Sequence, residues 1–472
     1  MKWSNKAISM LGLRASWGIV GKAPDSDYLF YNTYNVSAGQ YGKGSTNLAN
    51  YATLDGMKLD DLRWEKTTSY NLGFNLGLFH DKFEIDFDYY HKDTRDLLMG
   101  HPTKVAEQVN IPTITGFSKV KFANVGRMTN DGWELNFTAK KIVKWGKFSM
   151  DLGFNIAQNS NLLKEMDESV LQSINGTTWN ASDRGTYPIR VQLNNSLGSI
   201  YGFRYKGVYQ YTYDYLQNYQ KENNLSTAEY ENWINEFLAS GKTAPVAVGS
   251  DGKVIMDNTG APMHMKYAYD QITQNGKKGY NFQGGDAIYE DINHDGQINA
   301  LDVVYLGNSL PKVNGGFNIS LYYGRWFLKG RFNYRFGNKI VNIARMNLEN
   351  MYGTSNQSAT VNYRWRKDGD VTPMPRAMYQ SGYNWQNSDR YVEDGSFVRF
   401  QNLQIGYRFD NKMIKKWGLN QLQIYASMNN LYIWTKYSGV DPEVSASGYS
   451  PALDKSKTPR SKQFTVTMNV GF

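Results

Sequence analysis

In the segment YNLGFNLGLFHDKFEIDFDY, residues 70–89, apolar and polar side chains alternate on both sides of one short turn. Before the turn at His80–Lys82, Tyr, Leu and Phe lie on one face, and Asn and Gly lie on the other. After the turn, Phe83 to Tyr89 alternate with acidic residues. A period of two predicts β-strands, and so short a connection predicts a hairpin with one apolar face.

The same alternation recurs along the chain and predicts about ten strands of roughly 9–11 residues, the length that a tilted strand needs to cross a bilayer. Charges in mid-strand, such as Asp86 and Arg331, would stay hydrated in a water-filled lumen while Phe and Leu face lipid. A soluble β-sandwich also alternates, and it is the alternative. The segments are residues 11–19, 70–78, 83–89, 133–139, 148–156, 317–323, 328–336, 397–409, 422–428 and 464–472.

The connections between these segments alternate in length. The short ones are residues 80–82, 142–147, 324–325 and 410–420, and the long ones are residues 20–63, 94–126, 160–312, 337–395 and 433–461. Short periplasmic turns and long external loops are typical of outer-membrane barrels. The pattern therefore predicts an all-β fold, a transmembrane antiparallel β-barrel with long extracellular loops in a bacterial outer membrane.

The largest predicted loop, residues 160–312, contains one predicted helix. In LSTAEYENWINEFL, Ser226 and Glu229 form a capping box, and Leu225 with Tyr230 forms a hydrophobic staple. The helix carries an apolar stripe that includes Trp233. Such a stripe packs the loop onto itself or offers a surface to a partner.

Composition excludes several classes of protein. The absence of Cys excludes disulfides, thiol nucleophiles and thiolate metal sites. The formal charge of +9 is spread along the chain rather than concentrated beside aromatic residues, so no nucleic acid is predicted as a partner. No known catalytic signature is present, so no catalytic residue and no enzyme activity are predicted. Neither an apolar run long enough for a transmembrane helix nor a signal-peptide core is found.

The sharpest local motif is DINHDGQINALD, residues 291–302, which resembles a calcium-binding loop. Calcium prefers six to eight oxygen ligands, and alternate residues of a tight loop bring them to one point around a glycine. An EF-hand loop ends on Glu, whereas this one ends on Asp, and the alternative is an Asx-rich turn without metal. The predicted metal ligands are Asp291, Asn293, Asp295, Gln297 through its backbone carbonyl, Asn299 and Asp302.

Aromatic residues in the long loops are candidate substrate-binding residues. Flat rings bind the apolar faces of sugars or anchor protein partners, although any one of them can equally pack the loop internally. The candidates are Trp179, Trp233, Trp365, Tyr383 and Trp385.

The chain resembles the C-terminal part of the SusC/RagA-type TonB-dependent outer-membrane transporters. The resemblance runs from residue 13 to residue 472, and it is the order of its motifs that makes it specific. The motifs are LRASWG (13–18), LRWEKTTSYNLGF (62–74), DYYHKDTRDLL (88–98), NVGRMTNDGWE (124–134), DINHDGQIN (291–299), SLPKVNGGFN (309–318), DGDVTPMPRA (368–377), VEDGSFVRFQNLQIGY (392–407), NNLYIWTKYSGVDPEV (429–444) and TPRSKQFTVTMNVGF (458–472).

This resemblance implies import of glycans or peptides together with a SusD-like surface lipoprotein, driven by TonB through a plug. Barrels of that family have about 22 strands, a plug, a TonB box and a signal peptide. Residues 1–472 are therefore expected to be the C-terminal portion of such a barrel without the plug, and Met1 an internal methionine of a longer ancestor. The alternatives are a non-energised surface binding or adhesion protein with the same barrel, and a soluble calcium-dependent sugar-binding sandwich.

Overall fold

Ten long strands form one antiparallel sheet in which each strand pairs with its neighbours along the chain, as predicted. The computed structural model describes residues 7–24, 34–40, 48–54, 62–100, 122–168, 170–171, 175, 185–187, 189–268, 273–274, 277–380, 383–447 and 450–472. The strands are β1 Ile8–Lys22, β2 Glu65–Leu78, β3 Phe83–Arg95, β4 Gly126–Trp145, β5 Phe148–Met166, β6 Val313–Tyr323, β7 Trp326–Phe336, β8 Phe397–Arg408, β9 Gln421–Thr435 and β10 Gln463–Gly471. Within the described ranges, β1 and β10 form the two edges of the sheet.

The hairpin of residues 70–89 is confirmed. Strands β2 and β3 pair in an unbroken register that places Phe74 opposite Phe87, with the two ring centroids 5.6 Å apart. The chain reverses through Phe79–Lys82, where the Lys82 N–H donates to the Leu78 carbonyl at 3.0 Å. The apolar side chains of both strands therefore share one face, because the register keeps the two alternations in phase.

The predicted strand lengths are too short for several strands. Strand β10 has 9 residues, whereas β4 has 20 and β5 has 19. The alternation fades at the ends of these strands because polar partners replace the apolar face there. Arg127 at the start of β4, for example, donates to Asp93 at 2.7 Å and to Glu165 at 3.0 Å.

The predicted connection at 142–147 is wrong, since β4 continues to Trp145 and only Gly146 and Lys147 turn. The register between β4 and β5 shifts between Ala139 and Val143, and Lys141 has a φ of +49°. A bulge of this kind interrupts the alternation without ending the strand, which explains the error.

The apolar face of the sheet is exposed to its surroundings. Leu13 is 81% exposed, Leu72 is 60% exposed and Phe464 is 64% exposed. In the middle of the sheet, Phe317 stacks on Phe332 with ring centroids 4.3 Å apart. Such a continuous apolar surface on a sheet with a polar opposite face fits contact with lipid.

A folded layer of loops lies at one end of the sheet. Its largest segment begins after Met166 rather than at residue 160, because β5 extends further than the alternation predicts. Its helices are α1 Tyr213–Glu222 and α2 Thr227–Ala239, and α3 Ile343–Glu349 lies in the next long loop. Its short strands are Ser199–Gly202 with Val304–Asn308, Tyr205–Val208 with Ala287–Tyr289, Lys266–Tyr267 with Tyr280–Asn281 and Gln297–Ile298, Thr273–Gln274 with Lys277–Lys278, and Lys339–Asn342 with Val392–Asp394 and Leu453–Asp454.

The remaining elements are short. Two-stranded pairs join Tyr34–Gln40 with Leu48–Leu54 and Leu98–Gly100 with Phe122–Asn124. A one-turn helix, Asn411–Ile414, follows β8. The 3-10 turns are Ala300–Asp302, Ala359–Tyr363, Tyr383–Trp385, Asp389–Tyr391 and Lys415–Trp417.

The predicted helix is confirmed as α2, with the capping box of Ser226 and Glu229 formed in both directions. Leu225 packs against the cluster that contains Tyr230, as the predicted staple requires. Helix α1 was not predicted, although Thr212 caps it by accepting from the Tyr215 N–H at 3.2 Å. No helix in the part of the chain that the structure describes is both long enough and apolar enough to cross a membrane.

Candidate functional site

The polar face of the sheet carries a network of charges at mid-strand. Arg14 on β1 donates to Asn75 on β2 and to Asp86 and Asp88 on β3, the last two at 2.7 Å and 2.6 Å, so one guanidinium bridges three strands. Lys140 on β4 pairs with Glu84 on β3. Because these groups remain partly exposed, the face is suited to contact water and polar solutes rather than lipid.

A groove of about 440 Å³ lies on the same polar face, where carboxamides of four neighbouring strands meet. These are Asn136 on β4, Asn155 on β5, Asn318 on β6 and Asn333 on β7. A Cβ atom on Gly153 would lie 2.3 Å from the Asn318 Oδ1, so the glycine makes room for that carboxamide. The groove offers hydrogen-bond donors and acceptors, and the Arg331 guanidinium in its lining adds one positive charge.

The loop layer is held together by an aromatic core and by a buried ion pair. Asp286, whose side chain is fully buried, accepts from the Arg376 Nε at 2.7 Å and from the Tyr280 hydroxyl at 2.6 Å. Burial raises the pKa of Tyr280, and the neighbouring Asp286 carboxylate raises it further. Asp286 and Arg376 belong to different long loops, so this pair ties one loop to the other.

Two of the predicted aromatic residues lie within the packing of the loop layer. Trp233 on α2 stacks on Tyr219 of α1 with ring centroids 3.9 Å apart. The Trp365 indole N–H donates to the Gln210 carbonyl at 3.0 Å. Both side chains are half-buried, so each keeps part of its ring accessible.

The other predicted aromatic residues are more deeply placed. Tyr383 is only 7% exposed and stacks on Tyr280 with ring centroids 3.9 Å apart. Trp385 packs with a different cluster, and its buried indole N–H has no hydrogen-bond partner among the described residues. Trp179 lies outside the described residues. The structure therefore does not bring the candidates together at one surface, and their role in substrate binding stays a prediction.

The predicted calcium loop is a series of Asx turns. The Gly296 N–H donates to the Asp291 Oδ2 at 2.8 Å, and the Gln297 N–H donates to the Asp295 Oδ1 at 2.8 Å. Asn293 donates to the Asp295 Oδ2 at 2.9 Å. These side chains thus bond within one tight loop, whereas the carboxamide oxygen of Asn299 accepts from the Leu301 N–H and caps the next turn.

Asp302 joins the two ends of the loop through its carboxylate. Its two carboxylate oxygens accept from the Ile292 and Asn299 N–H groups, each at 2.8 Å. Burial raises the pKa of Asp302, and the charges of Asp291 and Asp295 raise it further. Across the described ranges, no three acidic or histidine side chains are grouped as a metal site, and calcium binding stays a prediction.

Gly296 has a left-handed backbone conformation that only glycine adopts readily. Its φ is +77°, and an added Cβ atom would lie 2.8 Å from the Met263 sulfur. We expect Gly296→Ala to lower the stability of the loop layer by about 1–2 kcal/mol or more, measured by urea unfolding. Gly252→Ala is the control, because Gly252 has a φ of +80° with nothing within 4 Å. Equal losses in both variants would contradict a steric contribution at Gly296.

The carboxamide groove was not predicted from the sequence. The groove needs the register of four strands, because Asn136, Asn155 and Asn333 are far apart in the chain. The signal that could have found it is the VNGGFN segment, 313–318, where two glycines and an asparagine share a predicted strand.

Comparison with known proteins identifies relatives over almost the whole chain. TonB-dependent receptor P39 of Formosa agariphila is 29% identical in an alignment 488 positions long, which covers 98% of this chain and 40% of that protein. TonB-dependent receptor SusC of Bacteroides thetaiotaomicron is 25% identical in an alignment 483 positions long, which covers 98% of this chain and 38% of that protein. The chain thus spans about 40% of the length of these relatives.

The structure of the RagAB peptide transporter aligns with a TM-score of 0.67 at 20% identity, over 99% of this chain and 42% of that one. That likeness concerns the fold alone. Residues 6–248 match the family model described as TonB dependent receptor-like, beta-barrel. The match confirms the predictions of an outer-membrane barrel and of a non-enzymatic protein, and the chain belongs to the TonB dependent receptor-like, beta-barrel family.

Proposed function

We propose that the chain forms part of an energised outer-membrane importer, as barrel wall and as substrate-contacting loops. The observation that carries this proposal is the separation of the two faces of the sheet. An exposed apolar face suits lipid, while the opposite face carries Arg14, Asp86 and the carboxamide groove. A wall built in this way lets polar solutes move through the water-filled interior of the barrel while its outer face contacts lipid.

The proposed partners follow from the family. TonB would act through the plug of the whole transporter, and a SusD-like surface lipoprotein would cover the loop layer. The packing of that layer supports a lid contact, because its loops are tied together by buried groups such as Asp286 and Arg376. A pre-organised surface lowers the entropic cost of binding a partner.

The proposed substrates are oligosaccharides or peptides. Both classes present many hydrogen-bonding groups, and carboxamides can donate and accept at the same time. The RagAB relative transports peptides, which makes peptides one of the two classes to test.

Uptake in the bacterium that makes the protein tests this proposal. The gene is deleted, and uptake of fluorescein-labelled oligosaccharides and peptides is measured with and without a protonophore. We expect the deletion to abolish uptake of one class, and the protonophore to abolish the same uptake in the parent strain. Uptake that persists after deletion would contradict import. Surface binding that is lost on deletion but ignores the protonophore would instead support a non-energised binding or adhesion protein.

We further propose that residues 291–302 bind calcium. The supporting observation is chemical, since the loop concentrates hard oxygen donors around Gly296, and each carboxylate oxygen that accepts one N–H keeps a second lone pair. Burial of Asp302 raises its pKa and disfavours its charged form, so its contribution to stability falls as the pH rises. A calcium ion would offset that cost.

A calcium titration of the purified chain in detergent checks this site. We expect millimolar calcium to raise the unfolding temperature of the loop layer, and we expect Asp295→Asn to remove that effect because it deletes one charge while its Oδ1 can still accept from Gln297. Asp251→Asn is the matched control, since Asp251 also accepts from a backbone N–H two residues ahead. An identical calcium response in wild type and Asp295→Asn would exclude the loop as the site.

A further inference from the structure

A cavity of about 790 Å³ lies at the loop end of the sheet, between the outer part of β5 and the segment that leads into β6. Its volume is within the range of ordinary ligand pockets. The lining is dominated by carboxamides and hydroxyls, and it includes Asn161, Asn194, Asn308, Ser160 and Ser196.

One wall of this cavity is an open strand edge. The ladder between β5 and β6 ends at Ala157 opposite Asn314, whereas β5 continues to pair with β4 as far as Met166. The next backbone bonds on the open side join Leu163 to Asn194 and Asn195. In the described part of the chain, the β6 side of residues 158–162 therefore has no strand partner.

An open edge with polar surroundings accepts a particular kind of ligand. An extended peptide can add as a strand, because its backbone N–H and C=O groups match the free groups of the edge. The amide nitrogen of Asn308, which lines the cavity but does not belong to β5, could then donate to the other side of that backbone. An oligosaccharide would use the carboxamides but gains nothing specific from a strand edge.

The charge of the cavity adds a preference. Lys312 and Lys339 line the wall opposite β5. Asp394 lies beside Lys339, whose positive charge stabilises the Asp394 carboxylate. Lys312 forms no ion pair within the described residues, so its ammonium group is available to a carboxylate.

We propose that this cavity is a peptide-binding site, in which an extended, acidic peptide pairs with residues 158–162 of β5 and places a carboxylate against Lys312. This assignment rests on the proposed import function and chooses peptides from its two substrate classes.

Binding of one defined peptide and its methylated analogue to the full chain in detergent tests the assignment. The probe is fluorescein-labelled Ala-Glu-Ala-Glu-Ala, the analogue carries N-methyl groups on alternate peptide nitrogens, and cellopentaose is the competitor. We expect the probe to bind, the analogue to bind at least about tenfold more weakly because it lacks edge donors, and cellopentaose not to compete. Equal binding of the analogue, displacement by cellopentaose or no binding at millimolar probe would overturn the proposal.

Two variants locate the site. Ser160→Trp should block the cavity, and Lys312→Gln should weaken binding of the acidic probe several-fold while keeping the fold. Lys253→Gln is the matched control, because Lys253 is exposed in a distant turn of the loop layer. If both cavity variants bind the probe like wild type, the cavity is not the site.

Uptake measured with the same variants separates this proposal from import itself. Peptide uptake that persists in Ser160→Trp cells would overturn the cavity assignment and leave import standing. Absence of all energised uptake in the parent strain would overturn the import proposal instead.

Discussion

Replacing Leu72 with arginine is expected to destabilise the protein in lipid vesicles by about 2–4 kcal/mol, the cost of placing an arginine on the lipid face near the middle of a bilayer. Leu72 lies in the middle of β2 and is 60% exposed on the apolar face, between Ala15 and Tyr89 on the neighbouring strands. Because the new guanidinium would lie between Ala15 and Tyr89, its charge would have to be hydrated or would pull water into the bilayer. Urea unfolding of the vesicle-inserted protein measures the loss.

Asn71→Arg is the matched control for this prediction. Asn71 is the adjacent residue of the same strand and lies on the polar face, opposite Ser16 and Tyr90. We expect its replacement to change stability by no more than about 0.5 kcal/mol. If the two arginines cost the same, the assignment of the apolar face to lipid would be wrong.

Replacing Arg376 with methionine is expected to destabilise the loop layer by about 3–5 kcal/mol, because it leaves a buried carboxylate without its cation. Asp286 is fully buried and accepts from the Arg376 Nε at 2.7 Å. Burial alone would lower the pKa of Arg376, but the charge of Asp286 outweighs it and raises that pKa. Hydrogen exchange of the loop layer measures the change, and we expect protection to be lost around both residues.

A double variant and a matched ion pair make this prediction specific. Adding Asp286→Asn to Arg376→Met should recover part of the loss, because the uncompensated charge is gone. Arg204 and Glu290 form a half-exposed ion pair, with 3.0 Å between the Arg204 Nη1 and the Glu290 Oε2. We expect Arg204→Met, which removes this pair, to lower stability by about 0–1 kcal/mol. Equal effects of Arg204→Met and Arg376→Met would show that burial does not determine the strength of the contact.

The middle of the sheet was predictable because one physical constraint applies to every strand there. A strand between lipid and water must alternate, so residues 70–89 already indicate the hairpin and its two faces. The strand ends were not predictable in the same way. Beyond the bilayer the alternation is replaced by polar pairs such as Arg127 with Asp93, and the bulge at Lys141 shifts the alternation within β4.

The loop layer was predictable only where a motif is local. The capping box of Ser226 and Glu229 fixes α2 from sequence alone, since its partners are three residues apart. The Asp286–Arg376 pair and the open edge of β5 join segments that are distant in the chain. No spacing rule reveals such contacts. Tyr383 is an example, because its place in a long loop predicts an exposed ring, whereas packing buries its side chain.

Labelling from outside intact cells tests whether the sheet crosses the outer membrane with its long loops outside. The chain has no Cys, so single cysteines report without background. Lys253→Cys lies in an exposed turn of the loop layer, and Lys147→Cys lies in the two-residue turn between β4 and β5. We expect a membrane-impermeant maleimide to label Lys253→Cys in intact cells and to label Lys147→Cys only after the outer membrane is permeabilised. Labelling of both sites in intact cells, or of Lys147→Cys alone, would contradict this orientation.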